Sequence, residues 1–355
     1  MKSRAPFAVS VAALAATLAV LSVLLLCYGP TTTYTLGDAI RGALALVGAT
    51  DPLEATPQRI LELRVWRTLT AAGVGASLAL AGALLQGLFR NGLAAPSLVG
   101  VTGGAGLGAT LAIVVLGGYG PTLLLAGNST WMPYLLTASA FCGALVACFA
   151  VLTIATRDGT VSVPSLLLAG VALNTCVAGA LATLQALTFD HHEVSRAIVA
   201  WTFGTLEDRE RYHAVMVSIG LLVACSAIPF VATELDLFEG GEDDAASVGV
   251  ATGRTKLLVL GAAAITTACA VSVAGQIAFV GLVVPHLVRL VAGRSHVRLL
   301  WLSCLTGAVF LLATDLGQLL ILGDRRLPPG VLMSLIGGPF FLALLYSRRR
   351  KVVAW

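Results

Sequence analysis

The chain has 355 residues, of which 57% are hydrophobic and 11% charged, and its formal net charge at pH 7 is +4. Soluble domains carry about 25% charged residues, so this composition excludes a large soluble domain and indicates a polytopic membrane protein. The modest charge does not suggest a nucleic-acid partner. Seven cysteines lie inside apolar runs with no CxxC pair, which is typical of packed free thiols.

The apolar runs predict an all-α membrane protein with ten transmembrane helices in one domain over residues 1–355. A membrane helix needs about 20 apolar residues, so a chain of this length has room for about ten spans with short loops. The first run is longer than the apolar core of a signal peptide and is interpreted as a span. The predicted spans cover residues 6–29, 65–88, 97–117, 133–155, 163–187, 214–232, 256–273, 277–292, 299–321 and 330–346.

Three features between and within the spans carry further information. Residues 30–62 form a polar stretch, and residues 89–96 are too few for anything but a tight reversal. The span at 97–117 contains a cluster of glycines, which let helices approach closely in lipid. Residues 191–213 place apolar side chains at helical spacing between charges, which predicts an amphipathic helix at the membrane surface. These apolar residues are Val194, Ala197, Ile198, Trp201 and Leu206.

The distribution of basic residues predicts the orientation. Ten spans put both termini on one side, and Lys2, Arg4 and the basic cluster at 348–351 assign that side to the cytoplasm. Other arginines stand at the outer mouths of spans, where they either meet an acidic partner or anionic solute or extend to the membrane surface. These outer arginines are Arg64, Arg67, Arg325 and Arg326.

The longest charged interval between two apolar runs is residues 234–255, which contains six acids. A helix that begins near Glu242 would carry acids on its first turn, at the positive end of the helix dipole. Gly249 would end it, because glycine adopts the left-handed conformation at a helix C-terminus. So short a helix has nothing to bury in lipid. We therefore expect it to fit into another protein.

Several function classes lack their motifs. The chain has no GxxxxGK[ST] loop for ATP phosphates and no HExxH zinc pair, and His191-His192-Glu193 has the wrong spacing for a helical zinc site. The spans contain almost no acids apart from Asp315, which argues against an ion-coupled secondary transporter and an intramembrane protease. A weak echo between Ala81-Gly82 and Ala274-Gly275 suggests an inverted repeat.

Several segments together resemble one family, the permease subunits of ABC importers for iron-siderophores, haem and cobalamin. The most specific is AGQIAFVGLVVPHLVRLVAG at 274–293. The other matching segments are LRVWRTLTAAGVGASLALAGALLQGLFRNGLAAPSLVGVTGGAGLG (63–108), SLLLAGVALN (165–174), residues 201–204, the acidic loop and GVLMSLIGGPFFLALL (330–345).

The resemblance implies how the chain works. Two copies of the permease would pair in the bacterial inner membrane above two ATP-binding subunits, and a solute-binding protein would dock outside. The chain would be no enzyme and would hold no cofactor, since ATP and magnesium would bind the separate ATPase. The fifth and tenth spans would line the path. The solute would be an iron chelate (a ferric siderophore or haem) or, alternatively, cobalamin.

The resemblance also assigns roles to individual residues. Arg64 and Arg67 match arginines that meet glutamates of the binding protein. An arginine usual in the ninth span is Leu319 here, and an acid usual before Leu-Pro is Arg326, so the outer contact is expected to include Arg325 and Arg326. The residues assigned to ATPase coupling are Glu242, Asp243, Asp244, Ala245, Ala246, Ser247, Val248 and Gly249.

The same comparison places a cytoplasmic gate at two short stretches. Asn91-Gly92-Leu93 matches an inner turn that usually contains proline, and Val163-Pro164 matches a second constriction that is usually more polar. These predict Asn91, Leu93, Val163 and Pro164 as gate residues.

Three polar side chains have open assignments, and a fourth is assigned a structural role. His191 and His192 lie near the expected mouth of the path and are either haem ligands or solvated surface residues. His286 is interpreted as structural. Asn174 either faces the path or forms a hydrogen bond across helices.

Overall fold

The computed structural model describes residues 7–30, 32–118, 131–157, 160–293, 295–323 and 326–349. These residues form helices, apart from loops, one 3-10 turn (Pro96–Val99) and a hairpin of two-residue strands, β1 (Thr156–Arg157) and β2 (Thr160–Val161). The helices are α1 (Phe7–Cys27), α2 (Leu36–Ala45), α3 (Ala55–Leu88), α4 (Val101–Leu116), α5 (Met132–Ala155), α6 (Val163–Leu187), α7 (His192–Phe203), α8 (Arg211–Phe238), α9 (Glu242–Ser247), α10 (Thr252–Ala274), α11 (Val280–Ala292), α12 (His296–Leu322) and α13 (Pro329–Arg349).

Seven described helices are long and apolar enough to cross a membrane, namely α1, α3, α5, α6, α8, α10 and α12. Apolar stretches of 10–17 residues also lie in α4, α11 and α13. The prediction of an all-helical, multi-pass membrane protein is therefore confirmed. The count of ten spans and the inverted repeat stay predictions.

The N-terminal polar stretch is more ordered than the sequence predicted. Residues 30–62 contain all of α2 and the first turns of α3. The hydroxyl of Thr35 caps α2 by accepting a hydrogen bond from the Asp38 backbone N–H at 3.2 Å. Hydropathy detects only the membrane-embedded part of a helix, so the polar first ten residues of α3, from Ala55 onward, were missed.

Glycine ends or divides two other predicted helices. The amphipathic helix predicted over 191–213 ends at Phe203, because Gly204 adopts a φ of 78°. Leu206 is buried in the loop that follows, and the other four predicted apolar residues are buried on α7. In the predicted span 97–117, Gly100 adopts a φ of 82° and separates the 3-10 turn from α4.

The centre of the bundle is α3, which packs against α8, α10, α11 and α12. Backbones touch directly at these crossings. A Cβ added to Gly75 would overlap the carbonyl of Gly307, and one added to Gly82 would overlap the carbonyl of Gly281. The Gln86 side-chain amide also donates to the Gly281 carbonyl at 3.1 Å. Small residues thus set the distance between α3 and its neighbours.

The predicted glycine cluster of α4 works in the same way. Added Cβ atoms on Gly104 and Gly108 would overlap the α5 backbone at Gly143 and Ser139. This contact runs antiparallel along the two helices, so the small residues of α4 fix its pairing with α5.

The bundle has two polar ends. At one end, which we call the Arg59 end, α3 begins near the start of α8, and Arg59 lies 3.9 Å from Glu210. At the opposite end, which we call the Glu242 end, α3 finishes beside Glu242 of α9 and Lys256 near the start of α10. The candidate sites lie at these two ends.

Replacing Gly82 with alanine tests the close crossing of α3 and α11. We expect Gly82→Ala to be destabilising by about 1–3 kcal/mol, because the added methyl group overpacks against a backbone. Gly261→Ala in α10 is the control, since an added Cβ there meets nothing within 4 Å, and the better helix propensity of alanine should be neutral or stabilising. Thermal unfolding in detergent measures both. Equal melting temperatures would contradict the interpretation.

Candidate functional site

The short helix predicted in the acidic loop is present as α9. It begins at Glu242, after Gly241 with a φ of 140°, and its first turn carries the three predicted acids. Gly249 adopts a φ of 92°. The Val250 N–H donates to the Ala245 carbonyl at 3.1 Å, and the Gly249 N–H donates to the Ala246 carbonyl at 3.0 Å. This is the Schellman arrangement, so the predicted start and end of the helix are confirmed.

The residues of α9 divide into an inner and an outer set. Ala245 is buried, and the Glu242 carboxylate pairs with the Lys256 ammonium group. Asp243 and Asp244 are exposed, as are Ala246 and Ser247. Val248, just after the helix, is 66% exposed. We call Asp243, Asp244 and Val248 the coupling surface, since they present two charges and an apolar side chain away from the bundle.

Acids on the last turns of α8 connect this helix to α10 and α12. The Thr255 hydroxyl donates to the Glu234 carboxylate at 2.7 Å, which joins α8 to α10. The Asp236 carboxylate accepts a hydrogen bond from the His296 backbone N–H at 2.7 Å and contacts the His296 ring Nδ1 at the same distance, which joins α8 to α12. The coupling surface therefore projects from a region where hydrogen bonds connect the ends of α8, α10 and α12.

The predicted inner turn at Asn91 is also present at the Glu242 end. The Asn91 side-chain oxygen accepts the Leu93 N–H at 2.9 Å, and the Asn91 carbonyl accepts the Ala94 N–H at 3.0 Å. The Asn91 side chain thus stabilises a turn that lacks the proline expected there from the resemblance. Leu93 is exposed.

The second predicted constriction begins α6. Ser162 caps the helix, and Val163 and Pro164 occupy its first two positions. Both residues line a cavity of about 230 Å³ together with Glu242 and Lys256. The structure thus brings one predicted gate segment next to the predicted coupling helix.

Arg64 has an intramolecular role that the sequence did not indicate. Its guanidinium donates to the carbonyls of Leu26 and Thr32 at 2.8 and 2.7 Å, and lies over the Tyr34 ring at 5.0 Å. These contacts satisfy carbonyls at the C-terminus of α1. The predicted role of Arg64 in docking stays a prediction, but the donors named here are engaged within the chain.

Arg67 is likewise paired inside the bundle. Its guanidinium lies 2.7 Å from the carboxylate of Asp315, whose side chain is 5% exposed. The Gln318 side-chain N–H donates to the same carboxylate at 3.1 Å. The Gln318 side-chain oxygen accepts a hydrogen bond from the Leu327 N–H at 3.1 Å. This network connects α3, α12 and the loop before α13. Leu319, at the position where the resemblance implies an arginine, is buried.

The other outer arginines are placed differently. Arg325 lies outside the described residues, and Arg326 is half-buried. Arg59, which the sequence analysis did not select, is 57% exposed and pairs with Glu62 at 2.9 Å. The sequence did contain an indication that Arg59 belongs to this surface, because Arg59 precedes the predicted docking arginines on the same helix.

Asn174 forms a hydrogen bond across helices, since its amide donates to the Ser97 carbonyl at 2.8 Å. It lies on α6, where Thr175 and Thr183 are exposed polar residues. Polar side chains on a membrane helix usually face protein or a water-filled path. Asn174 thus links α6 to the 3-10 turn that contains Ser97. It also lies on the helix that the resemblance assigns to the path.

The three histidines considered in the sequence, His191, His192 and His286, differ in environment. His191 and His192 are exposed at the start of α7. The His286 ring lies 6.5 Å from the Phe340 ring, which connects α11 and α13. The described residues contain no group of three His, Cys, Asp or Glu side chains that could hold a metal ion.

Comparison with known proteins identifies the family. The profile of the FecCD transport family matches residues 16–347. The chain belongs to this family. It is similar to the cobalamin import system permease protein BtuC of Halobacterium salinarum, with 42% identity over 82% of this chain and 74% of the relative. It is also similar to the hemin transport system permease protein HmuU of Yersinia pestis, with 35% identity over 89% of this chain and 92% of the relative.

A solved structure shares the fold of this FecCD chain. It is described as an inward-facing conformation of a metal-chelate type ABC transporter, and it matches with a TM-score of 0.78 and 28% identity over 94% of this chain and 98% of the other. FecCD proteins of this kind are permeases of type II ABC importers and work with ATPase and binding-protein partners. The sequence resemblance is thereby confirmed.

The Arg67–Asp315 pair can be tested by a double-mutant cycle. Arg67→Met leaves a buried carboxylate uncompensated, so we expect it to be destabilising by about 3–5 kcal/mol. Adding Asp315→Leu should recover most of that loss. Arg59→Met, which removes an exposed charge, should change stability by at most about 1 kcal/mol. Unfolding in mixed micelles measures the four members of the cycle and Arg59→Met. Additive effects of Arg67→Met and Asp315→Leu would disprove the coupling.

Proposed function

We propose that this FecCD protein is the permease of an ATP-driven importer that moves an iron chelate, either a ferric siderophore or haem, inward across the bacterial inner membrane. Two copies form a homodimer of ten-span subunits. Two ATP-binding subunits, which hold ATP and magnesium, lie beneath it, and a solute-binding protein docks on the outer side. The chain itself catalyses no reaction and binds no cofactor.

The observation that carries this proposal is the coupling surface on α9. A six-residue helix with one buried alanine and two exposed acids is a rigid projection suited to the groove of a partner protein. The chain has no phosphate-binding loop of its own, so a partner must supply the energy of ATP hydrolysis. Closure of the ATPases would move α9 and shift the permease between inward-open and outward-open states.

The orientation of the chain follows from its charges. The Glu242 end faces the cytoplasm, as do both termini, because the basic clusters of the chain lie on that side. The Arg59 end then faces outward. The binding protein is proposed to contact Arg59 there, together with the predicted Arg325 and Arg326, while Arg64 and Arg67 support that surface from within.

The solute path runs between the two copies. The helices proposed to line it are α6 and α13, and few residues of α6 are buried within a single chain. The inner gate consists of Asn91 and Leu93 on one side and Val163 and Pro164 on the other.

Cobalamin is the second candidate solute, because the relative with 42% identity is named for cobalamin import and the relative with 35% identity is named for hemin. Iron chelates, haem and cobalamin are all bulky metal complexes. An ion-coupled secondary transporter is the alternative from a different class. It would require a relay of buried acids, and the spans of this sequence are poor in acids.

Reversing the charges of the coupling surface tests the contact with the ATPase. We expect Asp243→Lys with Asp244→Lys to reduce ATPase co-purification and ATP-driven uptake by about tenfold or more, because like charges across an interface cost several kcal/mol. Glu242 is left intact so that its internal pair survives. The control is Asp190→Lys with Glu193→Lys, which reverses two exposed acids at the Arg59 end. Unchanged ATPase binding by the first variant would refute the assignment.

Uptake into proteoliposomes tests the class and the solute together. The vesicles contain the permease and its ATPase, and the binding protein is added outside with a ferric siderophore, haem or cobalamin. We expect uptake to require internal ATP and the binding protein. The solute that accumulates identifies the substrate. Uptake driven by a proton gradient alone, without the ATPase, would instead make the chain a secondary transporter.

A further inference from the structure

Lys256 is a buried lysine at the fifth position of α10, where its side chain is 5% exposed. A lysine is rarely buried unless it is paired. Its position is therefore costly to the fold unless specific contacts compensate for it.

Two contacts of Lys256 compensate for this cost, and they involve two different parts of the Glu242 end. The Lys256 ammonium group pairs with the carboxylate of Glu242, the first residue of α9. It also donates a hydrogen bond to the backbone carbonyl of Val161 at 2.8 Å. One ammonium group thus connects the coupling helix with the β2 strand.

The Val161 carbonyl lies directly before the predicted gate. Val161 pairs with Thr156 in the hairpin, and the Ser162 N–H donates to the Ala155 carbonyl at 3.0 Å. The next two residues are Val163 and Pro164, the first turn of α6. The cavity of about 230 Å³ is lined by Lys256, Glu242, Val163 and Pro164. The contacts of Lys256 therefore reach from α9 to the backbone segment that leads into the gate residues.

We propose that Lys256 is a positioning residue that transmits movement of α9 to the gate at the start of α6. This inference rests on the proposed function, since it requires that α9 be moved by an ATPase. If α9 moves while the gate stays in place, the ammonium group loses one of its two acceptors inside the protein. Buried charges without partners are strongly unfavourable. The helix and the gate backbone are therefore constrained to move together.

The test measures solute imported per ATP hydrolysed in proteoliposomes of the full complex. We expect Lys256→Met and Glu242→Gln each to lower this ratio at least about fivefold, the low end of the coupling found between linked sites, while ATP hydrolysis continues. Because both changes break the contact between Lys256 and Glu242, the double variant should be no worse than Lys256→Met alone. Lys256→Arg, which keeps a cation that can donate to both acceptors, should retain part of the ratio.

Arg298→Met is the matched control. Arg298 is an exposed cation in the first turn of α12, at the same end of the bundle. Its removal deletes the same charge without touching α9 or the hairpin, so the ratio should match that of the unmodified protein. If Lys256→Met does not assemble, Glu242→Gln decides the question, because the Glu242 side chain is 42% exposed and the change keeps its size.

The outcomes separate this inference from the proposed function. If the unmodified complex shows no ATP-driven uptake, the proposed function fails and the inference fails with it. If the unmodified complex imports solute, and Glu242→Gln and Lys256→Met import the same amount per ATP as Arg298→Met, the inference alone is overturned. A lower ratio in both variants, with part of the ratio retained by Lys256→Arg, supports it.

Discussion

Direct contact between helix backbones is the constraint on which this structure depends. Lipid offers no hydrophobic drive for helices to associate, so they must gain from close packing instead. The central helix α3 meets this requirement at Gly75 and Gly82, where a single methyl group would overlap a neighbouring backbone. Because α3 begins at the Arg59 end and leads into the Asn91 turn at the Glu242 end, both candidate sites are held by the packing of one helix.

Ionic and polar pairs then fix which helix ends meet. Arg67 and Asp315 join α3 to α12, Asp236 and His296 join α8 to α12, and Lys256 joins α9 to the hairpin before α6. Buried charges contribute little net stability, but they penalise arrangements in which a partner is missing. At the Glu242 end, the pairs surround the part of the molecule that is proposed to move, and they limit how it can move.

The helix α9 could be predicted because its signals are local, whereas contacts between residues far apart in the sequence could not. The acids at 242–244 and Gly249 lie within eight residues of one another, so the start and end of the helix could be read from the sequence. Arg64 and Arg67 were expected to face a partner protein, but their acceptors lie 32 and 248 residues away in the chain. The carbonyl bound by Lys256 is 95 residues distant. The helix α2 was missed because its ten residues are too few and too polar for a membrane span, although Thr35 and Asp38 formed a capping signal.

The contacts of Arg64 have a consequence for which substitutions the end of α1 can accept. Leu25 is the one residue of α1 that is buried, and partly buried residues such as Leu18 and Leu21 pack against the core. The end of the helix is held through the backbone carbonyls of Leu26 and Cys27, and every amino acid supplies a backbone carbonyl. Replacing Leu26 or Cys27 with another apolar residue therefore leaves both acceptors in place. Replacing Arg64, on another helix, removes both hydrogen bonds at once.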